Sequence, residues 1–240
     1  MAPPTIRVLQ TLVVLIACLR NAMSFAYPPL RARGLFVVRR WVVSPEELEA
    51  WTDFAEPAAC AALDFSGTWG RDRTAALKPE FNVVGALVAR GRHDLVAAKV
   101  EADKPYVQRW TRGSQLDWAA STSAALDASP RRKLIYPCGN GAIGEWWVER
   151  LPKDGMFAVL FGDGGGELQR RCAYVNEPDA DASIAHATLT RAPNGDVDES
   201  RRYLKGEKMV LRRTFWAAGR SAVEGAVSTE FFNPFLKSLF

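Results

Sequence analysis

The sequence predicts an all-β protein: a closed antiparallel up-and-down barrel of about ten strands, with a helix–turn–helix between its first and second strands. Three observations predict it. Short strand-like runs follow one another from Lys104 to Trp216, separated by polar or glycine-containing turns. No strand–helix–strand alternation appears among them, which argues against a parallel sheet. A meander of that length would also leave long bare edges, and closing it into a barrel removes them.

The chain opens on an address. Residues 1–24 read as a signal peptide, with Arg7 before an apolar run from Val8 to Leu19 and small residues at Ala22 and Ser24. The run is shorter than the roughly 20 residues that cross a bilayer as a helix. Residues 25–43 form a basic, transit-like segment holding Arg31, Arg33, Arg39 and Arg40, and the first acid is Glu46. The stretch Ala22-Met23-Ser24-Phe25-Ala26-Tyr27-Pro28 resembles the bipartite presequence of algae with complex plastids, in which a Phe stands at the cleavage point. That resemblance implies a plastid destination reached by the secretory route, with secretion as the alternative.

The net charge of +4 belongs to this N-terminus. Residues 1–45 carry six arginines and no acid, and without them the 31 basic residues fall to 25, against 27 acidic ones. The body of the chain therefore has no electrostatic reason to bind nucleic acid.

Residues 44–62 read as a helical lead-in. Ser44 caps, Pro45 suits the first helical position, Glu47 completes a capping box, and Pro57 ends the helix. The barrel is expected over 63–218. Asp64 to Arg73 is its first strand, with Phe65 and Trp69 on one face and Gly67 at a bend. From Leu77 to Glu101 the period becomes helical: Phe81, Val84, Leu87 and Val88 recur, Gly91 interrupts, and Leu95, Val96 and Lys99 begin a second helix. Strand runs follow at Tyr106–Thr111, Leu116–Thr122, Lys133–Cys138, Gly144–Leu151, Met156–Phe161, Glu167–Asn176, Ser183–Arg191, Val197–Leu204 and Lys208–Trp216. Residues 219–240 are left as an aromatic tail with Phe231, Phe232, Phe235 and Phe240, too apolar for an inert linker.

The Gly67-x-Trp69 first strand and the Leu211-Arg212-Arg213-Thr214-Phe215-Trp216 last strand resemble the calycin superfamily. The helical insert after the first strand makes the plan most like the fatty-acid-binding proteins, and less like lipocalins, whose helix follows the barrel. The resemblance implies a carrier of one hydrophobic molecule. In that family the last strand turns an Arg-x-Tyr pair inward and the Arg holds a carboxylate. The matching positions here are Arg213 and Phe215, so the phenolic hydroxyl is missing. A guanidinium alone still forms a forked pair with a carboxylate, and a neutral carotenoid or isoprenoid would fit the lost hydroxyl equally well.

The expected ligand-binding residues are Arg213, Phe215, Arg202 and Trp146. Gly67, Trp69 and Arg212 are expected to close the barrel, with an arginine of the last strand packed on Trp69. Strand register leaves the roles of Arg212 and Arg213 exchangeable. No catalytic constellation is readable: His93 and His186 sit in unrelated elements without a nucleophile beside them, and Gly162-Asp163-Gly164-Gly165-Gly166 lacks the ending of a phosphate loop. Cys60, Cys138 and Cys172 have no metal-binding spacing and no nearby His pair. Cys138 and Cys172 can pair, but buried free thiols are the expectation. No metal or organic cofactor is implied. Two rivals to the carrier remain: a filled scaffold that docks on a membrane or thylakoid complex through its surface and tail, and a pigment- or lipid-modifying enzyme on the same barrel.

Overall fold

The computed structural model describes residues 51, 53–90, 94–124, 132–139, 141–150, 167–218 and 225–235. The expected signal peptide, transit-like segment, most of the lead-in helix and the strand Met156–Phe161 lie outside these residues, as does His93. In chain order come α1 (Pro57–Cys60), β1 (Gly67–Arg71), α2 (Arg73–Ala76), a 3-10 turn (Pro79–Phe81), α3 (Val83–Ala89) and α4 (Leu95–Asp103). Then follow β2 (Val107–Arg112), β3 (Trp118–Ser123), β4 (Arg132–Tyr136), β5 (Trp147–Arg150), β6 (Glu167–Asn176), β7 (Ile184–Arg191), β8 (Val197–Lys205), β9 (Lys208–Trp216) and β10 (Ala226–Pro234).

Pro57 begins a helical turn rather than ending a helix, because its fixed φ and missing N–H suit the first helical position. The helices between β1 and β2 start where acidic side chains can satisfy their free N–H groups. Asp72 accepts from Ala75 N at α2, and Asp94 accepts from Ala97 N at α4. Asn82, at φ 49°, turns the chain from the 3-10 turn into α3, a left-handed position that Asn tolerates. The helices bury Ala76, Val83 and Ala102 among themselves and pack α3 against β10.

The ten strands among the described residues form one antiparallel sheet in the order β4-β3-β2-β1-β10-β9-β8-β7-β6-β5. The strand beside β1 is therefore β10, not the strand that carries Arg213. Residues 226–234 are not a tail: they sit between β1 and β9, with Arg71 opposite Phe232 and Arg213 opposite Ser228. The segment lacks an apolar stripe for a physical reason. The inward positions of β10 are Ser228, Glu230 and Phe232, and the first two face arginines rather than oil.

The sheet curls until its two ends approach. The rings of Tyr136 on β4 and Trp147 on β5 lie 6.2 Å apart, and Cys138, just past β4, is bonded to Cys172 on β6. No ladder joins β4 to β5 among the described residues. The edge of β6 beyond β5 is covered instead by other backbone. Gly144 N donates to Cys172 O, Tyr174 N to Ala142 O, and Ala55 N to Tyr174 O. Such covering leaves little bare edge for another chain to pair with. Gly144 is required for this approach, since a Cβ there would lie 2.4 Å from Pro137 O and 3.3 Å from Cys172 Sγ.

Alternation along the strands divides the buried residues into two clusters. The inner one holds Phe65, Trp69, Trp110, Trp118, Tyr136, Tyr174, Met209, Leu211 and Phe232. Phe65 stacks on Trp118 at 3.9 Å, and Trp118 Nε1 donates to Tyr174 Oη, which donates to Leu116 O. The outer one packs Trp51 on Ala173, Ala185, Ala187, Leu189 and Val210, with Trp51 Nε1 donating to Glu199. One end of the interior is thus filled with aromatic rings. The other end is polar.

Candidate functional site

Four adjacent strands supply the polar end. Going around the sheet, inward positions are Arg71 on β1, Glu230 on β10, Arg213 and Phe215 on β9, and Asp198, Ser200 and Arg202 on β8. Gln108 and Trp110 on β2 and Arg170 on β6 face them. Between them lies a cavity of about 210 Å³, lined also by Tyr106, Tyr136 and Arg90, the residue that ends α3.

Four of the five arginines here lie within 4.0 Å of a carboxylate, two of them sharing Glu230. Glu230 lies 2.9 Å from Arg71 Nε and 4.0 Å from Arg213 Nε. Arg170 Nε is 2.6 Å from Glu149, and Arg90 Nη2 is 2.6 Å from Asp198. Burial works against the Arg213 charge, but the carboxylates of Glu230 and Asp198 more than offset it and hold its pKa above the ordinary value. Arg90 is pulled down by burial, with Asp198 opposing.

Arg202 is the exception. It is 6 % exposed, and its Nε and Nη1 have no hydrogen-bond partner. No carboxylate among the described residues forms an ion pair with it. Its guanidinium lies 4.9 Å from the Trp110 ring centre and 5.9 Å from that of Tyr136. Burial, with the Arg213 charge adding to it, lowers its pKa. The group stays charged at neutral pH all the same. A second free donor stands nearby on the lining: Gln108 accepts from Trp110 Nε1 through its Oε1, which leaves its Nε2 without a partner. Cation–π contact offsets only part of the cost of burying a guanidinium. Such donors can serve an acceptor brought into the cavity.

The structure brings together three of the expected ligand-binding residues, Arg202, Arg213 and Phe215, on the cavity wall. It does not bring Trp146 there. Trp146 packs against the outer cluster, with the Arg191 guanidinium 4.5 Å from its ring centre, and its neighbour Trp147 takes the inward place against Tyr136. Sequence gives two adjacent tryptophans and no way to choose the inward one, because a slip of one residue exchanges the faces.

The expected barrel-closing contact is absent. Arg212 points outward, 3.8 Å from Glu177, and Arg213 turns inward to Glu230. Trp69 faces the inner cluster, where its Nε1 donates to Phe65 O. Gly67 sits in β1 at φ 136°, a conformation that favours glycine. The contact fails because β10 separates Trp69 from the strand of Arg212 and Arg213.

Two groups hold places in the interior that the sequence does not signal. Glu230, in the segment expected as a tail, anchors Arg71 and Arg213. His186 is fully buried beside Phe65, Trp110, Trp118, Tyr136 and Tyr174, with ring centres 5.6–6.4 Å away. Burial first, and the Arg202 charge second, push its pKa well below 6.5, so the imidazole is neutral. The ligand atoms of Cys138, Cys172 and His186 all lie within 4.8 Å of one another, a cluster that spacing along the chain does not suggest. The cysteine expectation is corrected as well: Cys138 and Cys172 are bonded, and among the described residues Cys60 is the free buried thiol, because two strand neighbourhoods 34 residues apart meet where the sheet curls.

The fold and cavity describe an all-β protein with an antiparallel sheet curled around one small interior site. No family model matches the chain, and no curated protein sequence matches it. Solved structures of fatty-acid-binding and related barrels are similar to it. The fluorescent protein UnaG shares 12 % identity over 71 % of this chain and 96 % of its own, with a TM-score of 0.44. A secretory abundant heat soluble protein from Ramazzottius varieornatus shares 8 % over 71 % and 94 %, at 0.44. The fatty-acid-binding protein isolated from Manduca sexta shares 10 % over 71 % and 99 %, at 0.41.

Proposed function

We propose that the chain is a carrier that binds a compact, largely apolar organic acid, with its carboxylate on Arg202. One observation carries the reading: a buried guanidinium with two unpartnered nitrogens on a cavity wall. A carboxylate would accept from Arg202 and from Gln108 Nε2, while Trp110, Tyr136, Leu134 and Phe215 offer apolar contact to its body. Arg213 contributes positive potential as well, since Glu230 lies 4.0 Å from it and is shared with Arg71.

The volume narrows the ligand. At about 210 Å³ the cavity is smaller than the roughly 300–1,000 Å³ of drug-sized sites, so a short acyl or aromatic acid suits it better than a carotenoid or a long fatty acid. In this reading the helical insert serves as the portal, since Arg90 at the end of α3 lines the cavity.

A filled scaffold is the second reading, and the packing of Phe65, Trp110, Trp118 and Tyr174 favours it. Its proposed docking tail is shortened by the fold, because Phe231 and Phe232 belong to β10. Targeting to a plastid by the secretory route is proposed on the N-terminal sequence, and a fluorescent fusion of residues 1–45 in an algal cell tests it.

Calorimetry with short fatty acids, an aromatic acid and their methyl esters tests the carrier. The acids are expected to bind and the esters to bind at least tenfold more weakly, with Arg202→Met reducing the acids to the level of the esters. Equal affinity for acid and ester in the wild type would remove the carboxylate. Failure of every acid to bind would favour the scaffold.

A further inference from the structure

The interior holds a second place where side chains of binding chemistry meet, at the aromatic end. Cys138 follows β4, Cys172 lies in β6 and His186 in β7, and their ligand atoms lie within 4.8 Å of one another. All three residues are buried, with Cys172 and His186 fully so. Neither ring nitrogen of His186 has a hydrogen-bond partner. A core imidazole normally satisfies at least one nitrogen, so an unsatisfied pair here calls for an explanation. We propose that, once the Cys138–Cys172 bond is reduced, these three residues bind a soft monovalent cation, Cu(I), through two thiolates and one imidazole nitrogen.

Donor softness and coordination number support the assignment. Thiolate and imidazole together select Cu(I) or Zn(II) over hard cations. Zn(II) in proteins takes four ligands, and where the protein supplies three, water or substrate takes the fourth position. Here the rings of Phe65, Trp110, Trp118, Tyr136 and Tyr174 surround His186, and the Gly144 backbone lies directly on Cys172. Among the described residues no fourth His, Cys, Asp or Glu joins these three donors. Cu(I), a closed-shell ion content with three ligands, fits it.

Electrons and protons balance in the loading step. A dithiol reductant gives two electrons and two protons to the Cys138–Cys172 bond and itself becomes a disulfide. The two thiols then release two protons as two S–Cu bonds form. One nitrogen of His186 coordinates the metal while the other keeps its proton, and the copper remains Cu(I) throughout. The oxidised chain holds the disulfide and no copper, so the site is redox-gated.

The test uses the full chain, reduced with dithiol, freed of it by anaerobic gel filtration, and titrated with Cu(I) against a chromophoric Cu(I) chelator. One Cu(I) per chain is expected, with X-ray absorption showing two sulfur neighbours and one nitrogen. The oxidised chain is expected to bind none. Losing an outer-shell partner costs a metal site roughly 10–100-fold, so losing a ligand by Cys172→Ser is expected to weaken binding by at least about 100-fold. His186→Gln is expected to weaken it and to remove the nitrogen signal. Cys18→Ser with Cys60→Ser is expected to change nothing. Binding that survives Cys138→Ser with Cys172→Ser overturns the proposal, and so does an absorption spectrum of the wild type with other neighbours. A parallel Zn(II) titration in which Zn(II) binds and Cu(I) does not displace it overturns the choice of metal. The absorption spectrum is read on the wild type, so it decides the ligand set even where a variant fails to fold.

Discussion

Arg90 Nη2 lies 2.6 Å from Asp198 Oδ2, which pins the end of α3 to the start of β8 on the cavity wall. The Arg90 guanidinium also lies 5.6 Å from the ring centre of Phe215. The pair is one of the links between the helical insert and the strands that line the site, beside the Arg71 bond to Glu101 O.

If the insert is the portal, this link sets how long a ligand stays. Asp198→Asn and Arg90→Met are each expected to speed ligand release several-fold while changing association less, because contacts made after encounter act on the off-rate. Stopped-flow displacement measures it. The double variant is expected to reveal a coupling of about 0.5–3 kcal/mol in release, and a coupling of zero would show that the pair does not hold the portal.

Arg202 is expected to cost the empty protein stability. A buried donor left unsatisfied costs about 1–3 kcal/mol, and more when it is charged. Arg202→Met keeps an apolar chain of similar length against Trp110 and removes the charge. It should therefore raise the urea midpoint while abolishing acid binding. A lowered midpoint would mean that the guanidinium supports the fold through its ring contacts.

His186 predicts an acid-side loss of stability. Its pKa in the fold is pushed below the unfolded value near 6.5, so the unfolded chain takes up a proton that the folded chain refuses. The stability it contributes is complete above pH 6.5 and falls as the pH drops below that, by up to about 1.4 kcal/mol per pH unit. Urea unfolding between pH 8 and pH 5 measures the slope. His186→Phe should flatten it, and an unchanged slope would place the acid sensitivity elsewhere.

The Cys138–Cys172 bond closes a loop of 34 residues and ties the two ends of the sheet. Chain entropy alone assigns it about 3–4 kcal/mol. Reduction is expected to lower the unfolding free energy by that order, and adding Cu(I) to the reduced chain should restore part of it. Unfolding curves that coincide with and without reductant would show that the bond adds nothing.

Gly144→Ala probes the same closure from the backbone. Its new Cβ would meet Pro137 O and Cys172 O, neither of which can swing aside as a side chain would. The variant should lose stability and slow the re-formation of the Cys138–Cys172 bond, as followed by thiol labelling.

The sequence reveals the hairpin order because turn chemistry and alternation are local signals: Asn194-Gly195 and Lys205-Gly206 mark turns between strands whose outward and inward residues differ plainly. Arg213 and Phe215 read as an inward pair only through the family resemblance, because a slip of one residue exchanges Arg212 and Arg213. β10 does not read as a strand, because Ser228 and Glu230 face inward to meet arginines, and that inverts the expected alternation. The partner of Arg71 is 159 residues away in Glu230, and no local pattern encodes a pairing at that distance. His186 stays invisible for a similar reason: its neighbours arrive from five different segments, and only the curl of the sheet assembles them.

The pairing of β1 with β10 also constrains synthesis. Gly67 to Arg71 leaves the ribosome long before Ala226 to Pro234 exists, so the nascent chain must carry an unmatched strand edge and the unneutralised Arg71 for most of its elongation. Ladders between neighbouring strands can form as they emerge, but the seam at β1 waits for the last strand. A stalled or nicked chain lacking residues 226–234 should therefore accumulate as an aggregation-prone species, and folding should be limited by this one late, long-range closure.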